Sequence, residues 1–253
     1  MTAERRAGQK RSLAGTGRRG LGALAVAALA LPLLGGPASA QSFLDPADPC
    51  VGAVSPAPFT DRGAIPEVHR LNVDCAAREG ITQGQTASQF NPAGTVTRGQ
   101  MASFIVRVLR AGGHQLPAPQ DRGFTDVGSS VHRDAINQLA QIGVAQGVTS
   151  TRYEPRAVVR RDQMASFVVR AAEYAYRVGD TRDQLDGQTV GAFPFGDVAE
   201  GNVHRANIAA AVELLGVSVG MAGDSYQPAG STTRAQMATF VIRLLDVTLV
   251  PQP

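Results

Sequence analysis

One pattern of residues occurs three times in this chain of 253 residues, and the repetition is the strongest constraint on its fold. The copies can be aligned on Gly80, Gly143 and Gly216 without a gap. Counted in residues after these glycines, all three copies share Gly at 4, an aromatic residue at 10, Pro at 12, Arg at 18, Gln at 20, Met at 21, Ala at 22, Phe at 24 and Arg at 27. A histidine precedes each glycine by eleven or twelve residues, behind an aromatic-x-Asp triplet. These identities indicate a triplicated unit.

Each unit has the pattern of two helices joined by a polar loop. In the second copy a helix is predicted from about His132, with Gly143 as its C-terminal stop. The second helix carries the i, i+3, i+4, i+7 pattern of a buried face on Met164, Phe167, Val168 and Ala171. Three such helix–loop–helix hairpins cannot bury their apolar faces alone, so we expect an all-α fold in which they pack together around the second helices.

The repeats also divide the chain into segments. We expect a signal peptide at 1–40, a Pro-rich segment at 41–58, repeat 1 at 59–110, a linker at 111–122, repeat 2 at 123–173, a linker at 174–192, repeat 3 at 193–248 and a tail at 249–253. Little sequence then lies outside the repeats.

The first 40 residues have the three parts of a secretory signal. A basic opening is followed by 14 apolar residues at 21–34 and by Ala-Ser-Ala at 38–40, which predicts cleavage after Ala40. An uncleaved signal anchor is the alternative, and Arg18-Arg19 leaves the choice between Sec and twin-arginine export open. No later segment is apolar enough to predict a membrane span.

The net charge of +3 belongs to this signal. Six of the 24 basic residues lie in the first 19 positions, so the rest of the chain has 18 basic and 20 acidic residues. Lys10 is the single lysine, tryptophan is absent and aromatic residues make up 5%. This composition argues against a basic nucleic-acid-binding surface and against a large aromatic platform for sugars.

Cys50 and Cys75 are the two cysteines of the chain. In an oxidising compartment a disulfide between them would tie the Pro-rich segment to the first repeat and contribute about 3 kcal/mol in the chain-entropy model. Two buried free thiols are the alternative. The spacing does not suggest a structural zinc site.

The combined motif resembles the S-layer homology (SLH) domain. The resemblance rests on F-x-D-V, an H-x-x-x-I helix, a G-V-x-x-G turn, an aromatic-x-P loop and T-R-x-Q-M-A-x-F, and it covers residues 59–247. It implies three repeats packed as a pseudo-threefold helical bundle, secreted and held non-covalently at the bacterial cell wall or cell surface. The implied ligand is a secondary cell-wall polysaccharide, often pyruvylated, or another peptidoglycan-linked polymer, bound in grooves between repeats.

The resemblance also implies site residues. In the family an arginine at the start of each second helix contacts the ligand, and the matching residues are Arg98, Arg161 and Arg234. The chain departs from the family pattern where an acid is usual, since Gln100, Gln163 and Gln236 stand there. Arg160 replaces a threonine in the second copy and Arg62 a valine in the first. The identity of the polymer, and whether it is pyruvylated, stays open.

Two roles are physically plausible for these arginines, binding of a ligand and ion pairing within the protein. A cation in the first turn lies at the unfavourable end of the helix dipole, yet all three copies place one there. Free N–H groups and a guanidinium together suit an acidic group on a glycan. Alternatively, each arginine pairs with an acid of its own or a neighbouring repeat, the candidates being Asp61, Asp126 and Asp197.

The other shared polar residues have structural readings. We expect the three aspartates to cap the first helices, with acceptance from an arginine as the alternative. Thr and Gln at 97 and 100, and again at 233 and 236, form the sequence of a capping box. One histidine per repeat, at 69, 132 and 204, is interpreted as a packing and hydrogen-bonding residue rather than a metal ligand or pH sensor.

The sequence contains no catalytic constellation that we can identify, and we expect neither an enzyme nor a bound cofactor or metal. The leading hypothesis is a cell-wall-binding module. Because little sequence lies outside the repeats, a structural or adaptor protein that associates with itself or with another surface protein is the alternative. A secreted subunit of a wall enzyme is a further one. Oligomeric state and cargo are not determined by the sequence.

Overall fold

The computed structural model describes residues 50, 53–178, 193, 195–216, 218, 220 and 224–249. The predicted signal peptide lies outside the described residues, as does the part of the predicted linker at 174–192 that follows residue 178. Within the described part are six α-helices: α1 (Glu67–Arg78), α2 (Arg98–Ala111), α3 (Arg133–Gln141), α4 (Arg161–Val178), α5 (Arg205–Ala209) and α6 (Arg234–Thr248). A short 3-10 helix, Arg62–Ala64, precedes α1, and a π-helical turn, Ala210–Leu214, continues α5. The predicted all-α class is confirmed.

Each repeat supplies two of these helices, as the sequence predicts. The second helices α2, α4 and α6 contact one another, and their apolar residues at the Met, Phe and following positions are buried. The helix α4 continues to Val178, five residues past the predicted end of its repeat. Ala175 in this last part is 3% exposed, because the final turns of α4 still face the core.

The two helices of one repeat do not form a hairpin of their own, in contrast to our expectation. Each first helix packs mainly on the second helix of the preceding repeat: α3 on α2, α5 on α4 and, closing the cycle, α1 on α6. Packing on a helix of the neighbouring repeat buries the apolar faces of the helices as well as packing within one repeat would. The three repeats therefore depend on one another for burial of their apolar faces.

Short extended segments before the second helices meet at the centre of the cycle. Val96 donates its backbone N–H to Thr232, Thr232 donates to Val159, and Val159 donates back to Val96, with N···O distances of 3.0, 3.1 and 2.9 Å. Three isolated β-bridges accompany these bonds. The closed triangle of hydrogen bonds marks the pseudo-threefold axis.

A disulfide joins Cys50 to Cys75 of α1, with 5.7 Å between the Cα atoms. The same region is held by Asp74, which is buried and accepts hydrogen bonds from the backbone of Ala57 and from the guanidinium of Arg62. Arg62, which departs from the family pattern, thus forms an ion pair that fastens the 3-10 helix at the start of repeat 1 to α1. Among the described helices, none is long and apolar enough to cross a bilayer.

Candidate functional site

The three shared aspartates order the loop that leads to the second helix. In repeat 2, the carboxylate of Asp126 accepts hydrogen bonds from the backbone amides of Tyr153 and Glu154 at 3.0 and 2.8 Å. Asp61 binds the amides of Phe90 and Asn91 in the same way, and Asp197 those of Tyr226 and Gln227. The prediction that these aspartates cap the first helices is wrong, because those helices begin later, at Glu67, Arg133 and Arg205.

These hydrogen bonds favour the ionised form of the carboxylates. Burial alone would raise the pKa of Asp126, but the bonds from the amides of Tyr153 and Glu154 outweigh it and hold the pKa below its ordinary value. The same balance lowers the pKa of Asp61 and Asp197. The carboxylates thus stay ionised and fix the aromatic residue that each loop carries.

The first of the candidate arginines reaches from its own repeat into this loop of the next. Arg98 is 5% exposed, and its Nε donates to the carbonyl oxygen of Tyr153 while Nη2 donates to that of Gln146, both at 2.8 Å. Its guanidinium carbon lies 4.5 Å from the centre of the Tyr153 ring, in cation–π geometry. Arg98 is therefore a bridge between repeats 1 and 2.

The other two arginines form the same bridge one repeat further on. Nε of Arg161 donates to Tyr226 in repeat 3, and Nε of Arg234 donates to Phe90 in repeat 1, at 2.8 and 2.6 Å. Each guanidinium also stacks on the aromatic ring of the residue whose carbonyl it binds. The arginines thus join the repeats in a closed cycle. The aspartates act on the same loops through the amides, and the charges of Asp197 and Asp61 oppose the lowering of the pKa of Arg161 and Arg234 by burial.

The start of each second helix is used in the same contact. The amides of Arg98 and Gly99 donate to Ala157 and Pro155 of repeat 2, at 2.8 and 2.9 Å. The corresponding amides of α4 and α6 donate to Gly230 and Pro228 and to Gly94 and Pro92. These N–H groups are therefore not free for an anion, which corrects the expectation drawn from the sequence. The neighbouring carbonyls also offset the unfavourable placement of a cation at a helix start.

The contacts between repeats are not identical. The hydroxyl groups of Tyr153 and Tyr226 donate to the backbone oxygens of Arg98 and Arg161. Phe90 has no hydroxyl to offer the oxygen of Arg234. Nη2 of Arg234 is also buried without a hydrogen-bond partner in the described part of the chain. Among the described residues, the arginine of the contact between repeat 3 and repeat 1, which closes the cycle, therefore has the fewest hydrogen bonds around it.

This difference leads to a test by substitution. Phe90→Tyr is expected to stabilise the protein by about 1 kcal/mol, because the added hydroxyl can reach the oxygen of Arg234 as its two counterparts do. Tyr153→Phe, the matched reverse change, is expected to cost about the same or more. Urea unfolding followed by circular dichroism measures both, and a destabilised Phe90→Tyr variant would contradict the assignment.

The glutamines cap the helices that carry the arginines. Gln100 and Gln236 complete capping boxes with Thr97 and Thr233, as predicted. In repeat 2 the threonine is missing, and Gln163 keeps half of the box by accepting from the amide of Arg160 at 3.2 Å. The Arg160 side chain pairs with Asp162 at 2.9 Å instead.

The histidines form a third set of contacts between repeats. Nδ1 of His132 lies 2.8 Å from the hydroxyl of Ser103, and the same distance separates His204 from Ser166 and His69 from Thr239. Partial burial lowers the pKa of all three. Their packing and hydrogen-bonding role is the one predicted. The Ser, Ser and Thr partners stand at one shared position of the repeat, a signal that the sequence analysis did not use.

Comparisons with known proteins agree with the threefold organisation. The family model of the S-layer homology domain matches residues 58–102, 123–165 and 194–238, just over half of the chain. Relatives include "Amylopullulanase" from Thermoanaerobacterium thermosulfurigenes, 26% identical over 69% of this chain and 9% of the relative, and "Exoglucanase XynX" from Acetivibrio thermocellus, 25% identical over 69% and 15%. "S-layer protein" from Bacillus thuringiensis subsp. finitimus is 26% identical over 68% of this chain and 19% of the relative.

The chain spans less than a fifth of the length of each of these three relatives, and the match in all of them covers most of this chain. The family and the S-layer relatives indicate a secreted protein associated with the cell wall. Each matched region covers the first helix of a repeat, the loop after it and the start of the second helix, which includes Arg98, Arg161 and Arg234. The chain belongs to the S-layer homology domain family.

Proposed function

We propose that the three repeats form a non-catalytic module that attaches its protein to a polysaccharide of the bacterial cell envelope. The observation that carries the proposal is the match of the family model to every repeat of a single closed helical unit. Relatives named as S-layer proteins and relatives named as glycan-degrading enzymes share this part. A part common to proteins with such different names fits attachment better than catalysis.

The arginines remain our candidates for the contact with an acidic group of the polymer. Arg98, Arg161 and Arg234 lie at equivalent contacts between repeats, next to the loops that Asp61, Asp126 and Asp197 order. Nε and Nη2 of Arg98 bind carbonyls, whereas its Nη1 makes no hydrogen bond in the described part of the chain. That edge of the guanidinium would be the part that binds a carboxylate or phosphate, with the rest holding it in place.

Sedimentation with purified cell walls tests the function. We expect the secreted protein to sediment with walls stripped of protein, and to stay in solution when the walls have been treated with cold hydrofluoric acid, which cleaves phosphodiester-linked polymers from peptidoglycan. Heat-unfolded protein is the control for non-specific adsorption. Equal sedimentation with treated and untreated walls would contradict a polysaccharide ligand.

Association with a surface protein is the second candidate, and one observation favours it. Val68, Val131 and Val203 stand immediately before the three shared histidines and are 78%, 93% and 86% exposed. An apolar residue repeated three times on the surface, without a role in packing, fits a contact with another protein. Sedimentation with native walls but not with stripped walls would support this candidate over the first.

A further inference from the structure

The disulfide between Cys50 and Cys75 has two unlike ends. Cys75 is 0% exposed and packs in the core, whereas Cys50 is only partly buried, in the segment before repeat 1. The rate at which a thiolate attacks a disulfide depends on access to the sulfur that it attacks. Burial closes that access at Cys75 and leaves Cys50 as the sulfur open to attack.

A positive charge lies next to the sulfur that would then leave. Nη2 of Arg78 donates to Sγ of Cys75 at 3.8 Å, from one turn further along α1. Nε of the same guanidinium donates to Oε1 of Glu79 at 2.9 Å, so Glu79 offsets part of the charge. A neighbouring guanidinium lowers the pKa of a thiol, and a thiol of lower pKa is a better leaving group. Arg78 therefore favours the release of Cys75 over the release of Cys50.

Repeat 2 shows that the fold can hold the segment before a repeat without a covalent bond. Gln138 stands at the position of Cys75, and its side-chain amide donates to the carbonyl oxygen of Pro117 at 2.7 Å, in the segment before repeat 2. In repeat 1, Asp74 accepts from the backbone amide of Ala57 at 2.8 Å, a contact that does not involve the sulfur atoms. We therefore expect the segment to stay on α1, and the protein to stay folded, when the disulfide opens.

We propose that Cys50 is a site of thiol–disulfide exchange, at which an external thiolate forms a mixed disulfide and releases Cys75. The external sulfur bonds to Sγ of Cys50, the bond between the two cysteine sulfurs breaks, and Cys75 leaves as a thiolate beside Arg78. The external sulfur is oxidised and Cys75 is reduced, so one disulfide replaces another and no further oxidant is needed. The thiolate is that of a small thiol or of a thiol–disulfide oxidoreductase outside the cytoplasm. This covalent contact is independent of the proposed attachment to a polysaccharide.

Reaction of the full secreted protein with 2-mercaptoethanol tests the site of attack. The probe is uncharged, so Arg78 cannot attract it electrostatically. After an acid quench, peptide mass spectrometry should find the adduct on Cys50 and a free thiol at Cys75, in at least a tenfold excess over the reverse arrangement. Protein unfolded in urea is the control, because it should form both adducts in similar amounts.

The role of Arg78 is tested by the rate of the same reaction. Arg78→Gln is expected to form the adduct about threefold more slowly, since Cys75 is then the poorer leaving group. Arg156→Gln removes an exposed arginine of repeat 2 and should leave the rate unchanged. Near-UV circular dichroism checks that each variant, and the adduct itself, is folded.

A second probe distinguishes the two sources of thiolate. A thioredoxin whose second active-site cysteine is replaced by serine retains a mixed disulfide, because it lacks the thiol that would resolve it. An adduct on Cys50 with this protein supports exchange with an oxidoreductase, and an adduct with 2-mercaptoethanol alone supports exchange with small thiols. Attack on Cys75 in the folded protein, equal rates for Arg78→Gln and wild type, or no adduct with either probe would overturn the proposal.

Discussion

Arg98→Ala is expected to destabilise the protein by about 3 to 5 kcal/mol, a large effect for one side chain. The substitution removes two hydrogen bonds and the stacking on Tyr153, and it leaves the buried carbonyl oxygen of Tyr153 and the part-buried one of Gln146 without their donor. Each such loss costs on the order of 1 to 3 kcal/mol. Chemical unfolding in urea, followed by circular dichroism, measures the change in the free energy of unfolding.

Two other arginines serve as controls for this prediction. Arg156 is exposed, so Arg156→Ala should change the free energy of unfolding by no more than about 0.5 kcal/mol. Arg234→Ala should cost less than Arg98→Ala, because Nη2 of Arg234 has no partner in the described structure. If Arg98→Ala were no more damaging than Arg156→Ala, Arg98 would not be the bridge that we describe.

Removal of repeat 3 is expected to abolish cooperative folding of the remaining chain. A fragment of residues 1–192 would keep α1 to α4 but lose α6, on which α1 packs and which contacts both other second helices. It would also lose the donor that reaches Phe90 and one side of the central triangle of hydrogen bonds. The fragment should show weak near-UV circular dichroism and a broad, non-cooperative unfolding transition.

Complementation in trans gives the matching positive result. Residues 193–253, added as a separate polypeptide, should restore the cooperative transition with one-to-one stoichiometry, because the contacts of repeat 3 do not require a covalent link to repeat 2. A fragment of repeats 1 and 2 that unfolds cooperatively by itself would contradict the mutual dependence of the repeats.

The fold class and the repeats follow from the sequence, because the periodic apolar pattern and the triplication are local signals. The partners of the shared residues do not. Arg98 and Arg161 occupy the same position of the repeat. The pattern therefore shows that an arginine at this position has a role, but it does not show whether the arginine contacts its own repeat or a neighbouring one. For the same reason, the pattern does not predict that α1 packs on α6, because all first helices and all second helices carry the same signals.

The shared aspartates show a second limit. Asp126 has the short side chain and the position expected of a helix cap, yet its partners are the amides of Tyr153 and Glu154, 27 and 28 residues later. A helix cap contacts residues within one turn of itself, so the local sequence predicts it. The contact of Asp126 instead depends on how the loop folds back to the start of its repeat. Similarly, the misplaced charge of Arg98 was recognisable in the sequence, but the carbonyls that offset it belong to the next repeat.

The head-to-tail contact between repeats also determines how many repeats the unit can contain. Each repeat offers a helix start to its successor and a loop to its predecessor, which is a heterologous interface in the sense used for oligomers. Such an interface builds an open filament unless its rotation brings the last unit back to the first. Here Arg234 of the last repeat reaches Phe90 of the first, so the rotation closes after three units and neither donor nor acceptor surface is left for a fourth. The contact that joins the repeats is thereby also the one that limits their number.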